Sequence, residues 1–165
     1  LRPASQEKAA LMAKYKSLLT ADTLKQANLA NGRLLYWKNC ASCHKLFGEG
    51  GNIGPELTGS QRANLDYVLE NMLDPSAVVP REYQVSVITT NSGRTLTGIV
   101  KEETERALTV QTQNEVVIVP KDEIDIRKQS PLSMMPEGMF EPLTFVEIRD
   151  LVGYLASPQP LAPGR

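Results

Sequence analysis

The chain has 165 residues, of which 41% are hydrophobic and 22% charged, a composition ordinary for a globular protein of one domain. Its net charge of −1 gives no general attraction to nucleic acid or to an anionic membrane surface. No apolar run approaches the ~20 residues of a membrane span, and Leu1-Arg2-Pro3-Ala4 does not begin a signal peptide. We therefore expect a mature protein, or a segment of a longer one, with no membrane span and no nucleic-acid partner.

Two helices are predicted before residue 40. Residues 5–19 have helical periodicity, with Ser5 as the N-cap. One face of this helix is expected to carry Leu11, Tyr15, Leu18 and Leu19. Asp22 is the predicted cap of a second helix that continues to residue 39. Gly32 lies in its middle, which indicates either a close contact with another helix or a tolerated surface glycine.

The pentapeptide Cys40-Ala41-Ser42-Cys43-His44 holds both cysteines and the only histidine of the chain. C-x-x-C-H is typical of covalent c-type haem attachment, in which two thiols about one helical turn apart bond the porphyrin edge. The imidazole then reaches the iron from the proximal side. A thioredoxin-like redox pair, a disulfide and half a zinc site are the alternatives, although zinc needs about four ligands. The motif predicts one haem c and, because attachment occurs outside the bacterial cytoplasm, a periplasmic or exported protein.

A glycine-rich loop and a short helix follow the pentapeptide. The loop carries glycines at 48, 50, 51 and 54 and then Pro55, and we expect it to wrap the proximal face of the haem. Residues 64–73 are predicted to form a helix capped by Asn64, with Met72 in the core.

The pattern changes to alternating Val, Ile and Thr between residues 83 and 127. Strands are predicted at 83–89, 95–100, 108–112, 116–119 and around 124–126, with a hairpin turn at Asn91-Ser92-Gly93. Five short strands predict a small antiparallel barrel or sheet inserted into a helical domain.

Three methionines lie in a loop before the last predicted helix, residues 145–156, which Thr144 caps. With no second histidine, the distal haem position must hold a methionine, another side chain or nothing, and thioether sulfur suits low-spin haem iron. Met135 is the predicted ligand because Pro136 fixes the backbone direction. Met134 is the second choice and Met139 the third, while methionines that only fill gaps are the alternative.

Several of these segments resemble class I cytochrome c over about residues 23–80 and 129–157. The matching pieces are the helix with Gly32 and Tyr36, CASCH, GPELTG at 54–59, the Met-Pro loop and LxxYL at 151–155. More narrowly, the chain resembles a cytochrome c haem-binding domain of Planctomycetes and related bacteria, often the C-terminal part of large periplasmic dehydrogenases. This resemblance lies in GEGGNIGPELTG, LDPSAVV at 73–79, SGRTLTGIV at 92–100 and SMMPEGM at 133–139.

The resemblance implies roles for individual residues. Pro55 is expected to accept a hydrogen bond from the ring of His44, which orients the imidazole. Leu57 is expected to press on the haem edge, and Arg62 to bond a haem propionate, with a solvated surface arginine as the alternative. The first and last helices are implied to cross at Gly32, Tyr36, Leu151 and Tyr154.

Together these features predict a mainly α cytochrome c fold with an inserted small antiparallel β module, α+β overall. Residues 1–22 would be a helical extension, 23–157 the cytochrome c domain interrupted by a β-rich insertion at 82–128, and 158–165 a loose tail. The predicted function is one-electron transfer without enzymatic catalysis, as a mature cytochrome or the haem domain of a larger dehydrogenase. A haem enzyme or gas sensor with an open distal site is the alternative. Redox proteins are the expected partners, with a parent dehydrogenase domain and a homodimer through the β insertion left open.

Overall fold

A computed structural model describes residues 5–158 of the chain. Within them the fold is mixed α+β, and the predicted predominance of helix is not confirmed. The helices are α1 (Gln6–Leu18), α2 (Ala21–Lys25), α3 (Leu29–Asn39), α4 (Leu65–Leu73) and α5 (Phe145–Ala156). The strands are β1 (Lys45–Leu46), β2 (Glu49–Gly50), β3 (Ser86–Thr90), β4 (Thr95–Glu103), β5 (Ala107–Gln111), β6 (Val116–Pro120) and β7 (Ile124–Gln129). Residues 1–4 and 159–165, which include most of the predicted tail, lie outside the described residues, and the predicted domain boundaries stay predictions.

The first helix begins as predicted, because the Ser5 hydroxyl accepts a hydrogen bond from the N–H of Lys8. Its predicted apolar face is wrong in part, since the side chains of Leu11 and Leu18 are exposed. The helix instead packs on the core through Met12 and Tyr15, which are three residues apart and share a narrower stripe.

The long second helix predicted from Asp22 is wrong. Two shorter helices occupy this stretch, each with its own N-cap. The Thr20 hydroxyl accepts from the N–H of Thr23 to begin α2, and the Asn28 side chain accepts from the N–H of Asn31 to begin α3. The chain breaks between them because Asn28, in an extended backbone conformation, starts a new helix rather than continuing the old one.

Helices α3 and α5 cross in direct backbone contact at Gly32. A Cβ atom at this position would lie 2.1 Å from the carbonyl oxygen of Asp150 and 2.5 Å from the Cβ of Tyr154. The rings of Tyr36 and Tyr154 lie beside each other, with centroids 5.9 Å apart. The predicted close contact is thus confirmed for these residues, and Gly32 is not a surface glycine.

The caps of the last two helices are confirmed. The Asn64 side chain accepts from the N–H of Tyr67 at the start of α4, and Thr144 forms a capping box with Glu147 at the start of α5. The buried faces of α3, α4 and α5 then form the main core, which also includes Leu19, Leu46 and Phe140.

The five longer strands form one antiparallel sheet in the order β6-β5-β4-β3-β7. It is an open sheet with β6 and β7 at its edges, and its own core consists of Ile88, Leu96, Leu108, Val110 and Val119. Strand β3 begins at Ser86, later than the predicted start at residue 83, since Arg81–Tyr83 forms a 3₁₀ turn that follows Pro80. The fixed φ of Pro80 favours this turn over an extended start at Tyr83.

Candidate functional site

The CASCH pentapeptide forms a turn that continues the end of α3. The N–H of Cys40 donates to the carbonyl of Tyr36, and the N–H of His44 donates to the carbonyl of Cys40 at 2.9 Å. This spacing sets the two cysteines about one helical turn apart, as C-x-x-C-H attachment requires. The two cysteines do not form a disulfide with each other, and Cys40 is buried whereas Cys43 is partly exposed.

The backbone of His44 is held by Tyr36, a role that the sequence did not predict. The Tyr36 hydroxyl donates to the carbonyl oxygen of His44 at 2.7 Å and lies 3.1 Å from the carbonyl oxygen of Glu49. Burial raises the pKa of Tyr36, so the hydroxyl remains protonated and able to donate. The only signal in the sequence was the position of a tyrosine four residues before Cys40.

The imidazole of His44 is oriented by the loop that follows it. Its Nδ1 lies 2.8 Å from the carbonyl oxygen of Pro55, the pair of atoms that the resemblance implies. A carbonyl only accepts, so Nδ1 carries the proton and Nε2 keeps a free lone pair. A Cβ on Gly54 would lie 2.7 Å from the ring Cε1, which only glycine avoids. Burial lowers the pKa of His44, although the Pro55 carbonyl opposes this, and the neutral ligand form is favoured.

The imidazole and both cysteines line one largely apolar cleft. The cleft holds about 1310 Å³ of space not filled by atoms, a value that includes its open mouth. Its mostly apolar lining, with both cysteines and the imidazole together, fits a macrocyclic cofactor attached at these residues. Every predicted site residue lines it: Cys40, Cys43, His44, Pro55, Leu57, Arg62, Met134, Met135 and Met139.

Arg62 has backbone partners that the sequence did not predict. Its guanidinium donates to the carbonyls of Thr58, Leu155 and Ser157, and it lies 4.9 Å from the ring centroid of Phe47. These bonds tie the loop after the glycines to the end of α5, so the alternative of a solvated surface arginine is wrong. The predicted bond to a haem propionate stays a prediction.

Four methionines line the cleft. Met72 of α4 is almost fully buried, while the other three belong to residues 133–139, which we call the methionine loop. This loop is fastened at its start, where the N–H of Ser133 donates to the hydroxyl of Ser76 at 3.1 Å. The N–H of Met135 then donates to the hydroxyl of Ser133 at 3.0 Å. Met135 as the distal ligand stays a prediction.

The alternative chemistries for the two cysteines have little support. Redox-active thiols have a lowered pKa and commonly lie at a helix N-terminus. Cys40 instead lies at the C-terminal end of α3, and burial, with a smaller effect of Cys43, raises the pKa of its thiol to about 12. Within residues 5–158, no group of three His, Cys, Asp or Glu side chains could hold a metal ion.

Residues 29–78 match the family model described as cytochrome c. This match supports a cytochrome c haem-binding domain, haem-based electron transfer with redox partners, and covalent haem c at the two cysteines. No curated protein matches the chain. Cytochrome c domains are typically exported or periplasmic, and within residues 5–158 no helix is long and apolar enough to cross a bilayer.

One wall of the cleft comes from residues beyond those that match the cytochrome c family. It includes Val79, Pro80 and Tyr83 before the sheet, and Ile99 of β4. Lys101 joins this wall to the glycine-rich loop after His44. Its Nζ donates to the carbonyl of Ile53 at 3.3 Å and lies 5.1 Å from the ring centroid of Tyr83. The register of β4 against β5 shifts between Val100 and Glu102, which leaves Lys101 as the extra residue of a β-bulge.

Sequence reasoning missed this wall. A single buried isoleucine in an alternating strand carries no sign of which core it enters. The five-stranded sheet, through Ile99 of β4, therefore covers part of the cleft, a point that the resemblance to ordinary cytochromes left open.

Proposed function

We propose that the chain transfers single electrons through a haem c bound covalently to Cys40 and Cys43 and ligated by His44 and Met135. The observation that carries this proposal is the cleft itself. It brings the imidazole of the C-x-x-C-H motif, with Nε2 free, together with the methionine loop. When bound, haem c supplies a one-electron iron couple, and His/Met ligation raises its potential.

The residues around the cleft support rapid electron exchange. Pro55 orients the imidazole of His44 and fixes its tautomer, so the proximal ligand needs no rearrangement. Leu57 and Ile99 contribute apolar surface that excludes water from the cofactor. Arg62 would have to direct a remaining N–H to a propionate while it keeps its backbone partners. Because His44 is the only histidine, no second imidazole is left for acid-base chemistry at the distal side.

The cellular setting is part of the same proposal. Export to the periplasm follows from covalent haem attachment, and the resemblance to the Planctomycete-type domain favours a donor or acceptor within a larger dehydrogenase. A partner would dock at the cleft mouth through a small and transient interface. A homodimer through an edge strand of the sheet is a further arrangement that this fold permits.

Absorption spectra of the haem-loaded protein test the ligation. We expect a low-spin spectrum in both oxidation states and, in the ferric protein, the weak near-infrared band of methionine bound to haem iron. Met135→Ala should abolish that band, whereas Met134→Ala and Met139→Ala should retain it. Carbon monoxide binding to the reduced wild type without displacement of a ligand would contradict the proposal and favour an open distal site.

A further inference from the structure

Lys8 of α1 joins two carboxylates that are far apart in the sequence. Its Nζ lies 2.6 Å from Oδ1 of Asp74 and 2.6 Å from Oε1 of Glu137. The side chains of Lys8 and Asp74 are only 13% and 8% exposed, whereas that of Glu137 is 54% exposed. An ion pair with the half-exposed Glu137 alone would be an ordinary surface contact. Here the ammonium of Lys8 is also held in place by the buried Asp74.

The position of Glu137 gives this cluster its significance. Glu137 lies in the methionine loop, between Met135 and Met139. Asp74 is the C-cap residue of α4, two residues before Ser76, which binds the start of the same loop through Ser133. The end of α4 and the residues just after it therefore hold the start of the loop directly, and hold Glu137, near the end of the loop, through Lys8.

We propose that Lys8 is a positioning residue for the distal haem ligand: it holds the methionine loop against the cleft through Glu137, with Asp74 as its anchor. The inference rests on the proposed function, since it assumes that the loop supplies the ligand. It gives α1, which the sequence presented as an extension outside the haem domain, a part in controlling access to the iron.

The effect is measurable because an added ligand must wait for the loop to open. Imidazole in solution competes with a methionine sulfur for ferric haem iron, and its apparent affinity is proportional to the fraction of molecules with the loop open. Removal of a contact that favours the closed loop raises that fraction. The imidazole affinity of the haem-loaded protein therefore reports the contribution of Lys8.

Two substitutions remove the contact from opposite sides. Glu137→Gln removes the charge on the loop and leaves the pair of Lys8 with the buried Asp74 in place, so the fold is retained. We expect about 1.5- to fivefold tighter imidazole binding, which is the range for a partly exposed ion pair. Lys8→Met should tighten imidazole binding at least as much, Lys8→Arg should restore values near those of the wild type, and the two removals together should be less than additive.

A matched control lies on the same pair of helices. Lys16 of α1 forms an ion pair with Asp66 of α4 at 2.9 Å, and both side chains are about 60% exposed. Asp66 lies in the first turn of α4, at the opposite end of this helix from Asp74. Lys16→Met should leave the imidazole affinity unchanged. If Lys8 only tethered α1 to α4, Lys8→Met would lower the thermal midpoint and leave the imidazole affinity as it was.

The outcomes separate the two proposals. Wild-type imidazole affinity in Glu137→Gln and Lys8→Met, with the methionine band present, would overturn the role of Lys8 and leave the proposed function intact. Absence of the methionine band in the wild type would overturn the ligation itself, and the role of Lys8 with it.

Discussion

Asp150 shows how a single buried carboxylate aligns the helix that carries the haem motif. Its side chain is 2% exposed. It accepts hydrogen bonds from the N–H of Asn28 and the side-chain amide of Asn31, both at 2.9 Å, and from the guanidinium of Arg149. Since Asn28 is the N-cap of α3, Asp150 joins the start of α3 to α5 and adds a negative charge where the helix dipole favours one.

These contacts predict acid-sensitive stability. Burial alone would raise the pKa of Asp150, but the hydrogen bonds from Asn31, Asn28 and Arg149 hold it below its ordinary value of 3.8. The stabilisation is therefore complete above the unfolded-state pKa and is lost as the pH falls through the lower, folded-state pKa. Asp150→Asn should reduce the free energy of unfolding by about 2 kcal/mol at neutral pH, because it places an amide donor among donors.

Urea unfolding at neutral pH and at about pH 3 measures this contribution. In the wild type, stability should fall between the two conditions, and the difference between wild type and Asp150→Asn should shrink in acid. Asp22→Asn is the control, because the Asp22 side chain is 91% exposed. A difference between Asp150→Asn and wild type that stays constant with pH would contradict the account.

The separation in sequence between a site residue and its partner decides whether the sequence could predict their contact. The pentapeptide and the Pro55 carbonyl are close in sequence and belong to a known family pattern, so their proximity could be expected. The partners of Arg62 at the end of α5 lie more than 90 residues away, and Asp150 lies 122 residues from Asn28. Nothing in the local sequence around a charged residue says which distant backbone group it will meet.

At the scale of the elements, local chemistry decided which predictions succeeded. The caps Ser5, Asn64 and Thr144 were found because each acts within three residues of itself. The five strands of the larger sheet were found from their alternation, although the start of β3 was displaced by Pro80. The two-residue strands β1 and β2 lie in a stretch that was predicted as a loop, and they were missed. The exposure of Leu11 was missed because it depends on how α1 packs on the main core. The break before α3 was missed because Asn28 was not recognised as an N-cap.

Strand β4 contributes Ile99 to the cleft, and replacement of Ile99 tests what the sheet does there. The side chain is 2% exposed and lines the cleft rather than the sheet core. Ile99→Ala should cost about 2–4 kcal/mol of stability through the cavity it leaves. It should also lower the reduction potential, because water that enters the cleft stabilises the more highly charged ferric state.

Redox titration and denaturant unfolding of the haem-loaded variant provide both values. Ile118→Ala on the edge strand β6 is the control, since this side chain is 68% exposed and should change stability by less than about 0.5 kcal/mol. A reduction potential in Ile99→Ala equal to that of the wild type would show that the sheet does not control the polarity of the cleft.

At the scale of the whole molecule, residues 5–158 form two hydrophobic cores that differ in whether they line the cleft. Several buried residues of the main core, among them Cys40, Val68, Met72 and Leu155, also line the cleft. None of the five buried residues of the sheet core lines it. A bound haem would therefore complete the main core and leave the sheet core unchanged.

This division predicts how the protein responds to loss of its cofactor. In a Cys40→Ser/Cys43→Ser double variant produced without haem, the faces of Val68 and Met72 that line the cleft lose their apolar partner. Amide hydrogen exchange should then accelerate in α3, α4 and α5, and remain slow in β3, β4 and β5. The haem-loaded wild type, with slow exchange in both regions, is the reference. If protection fell equally in both, the contacts of Ile99 and Lys101 would have to couple the sheet to the helices so strongly that the two cores unfold as one unit.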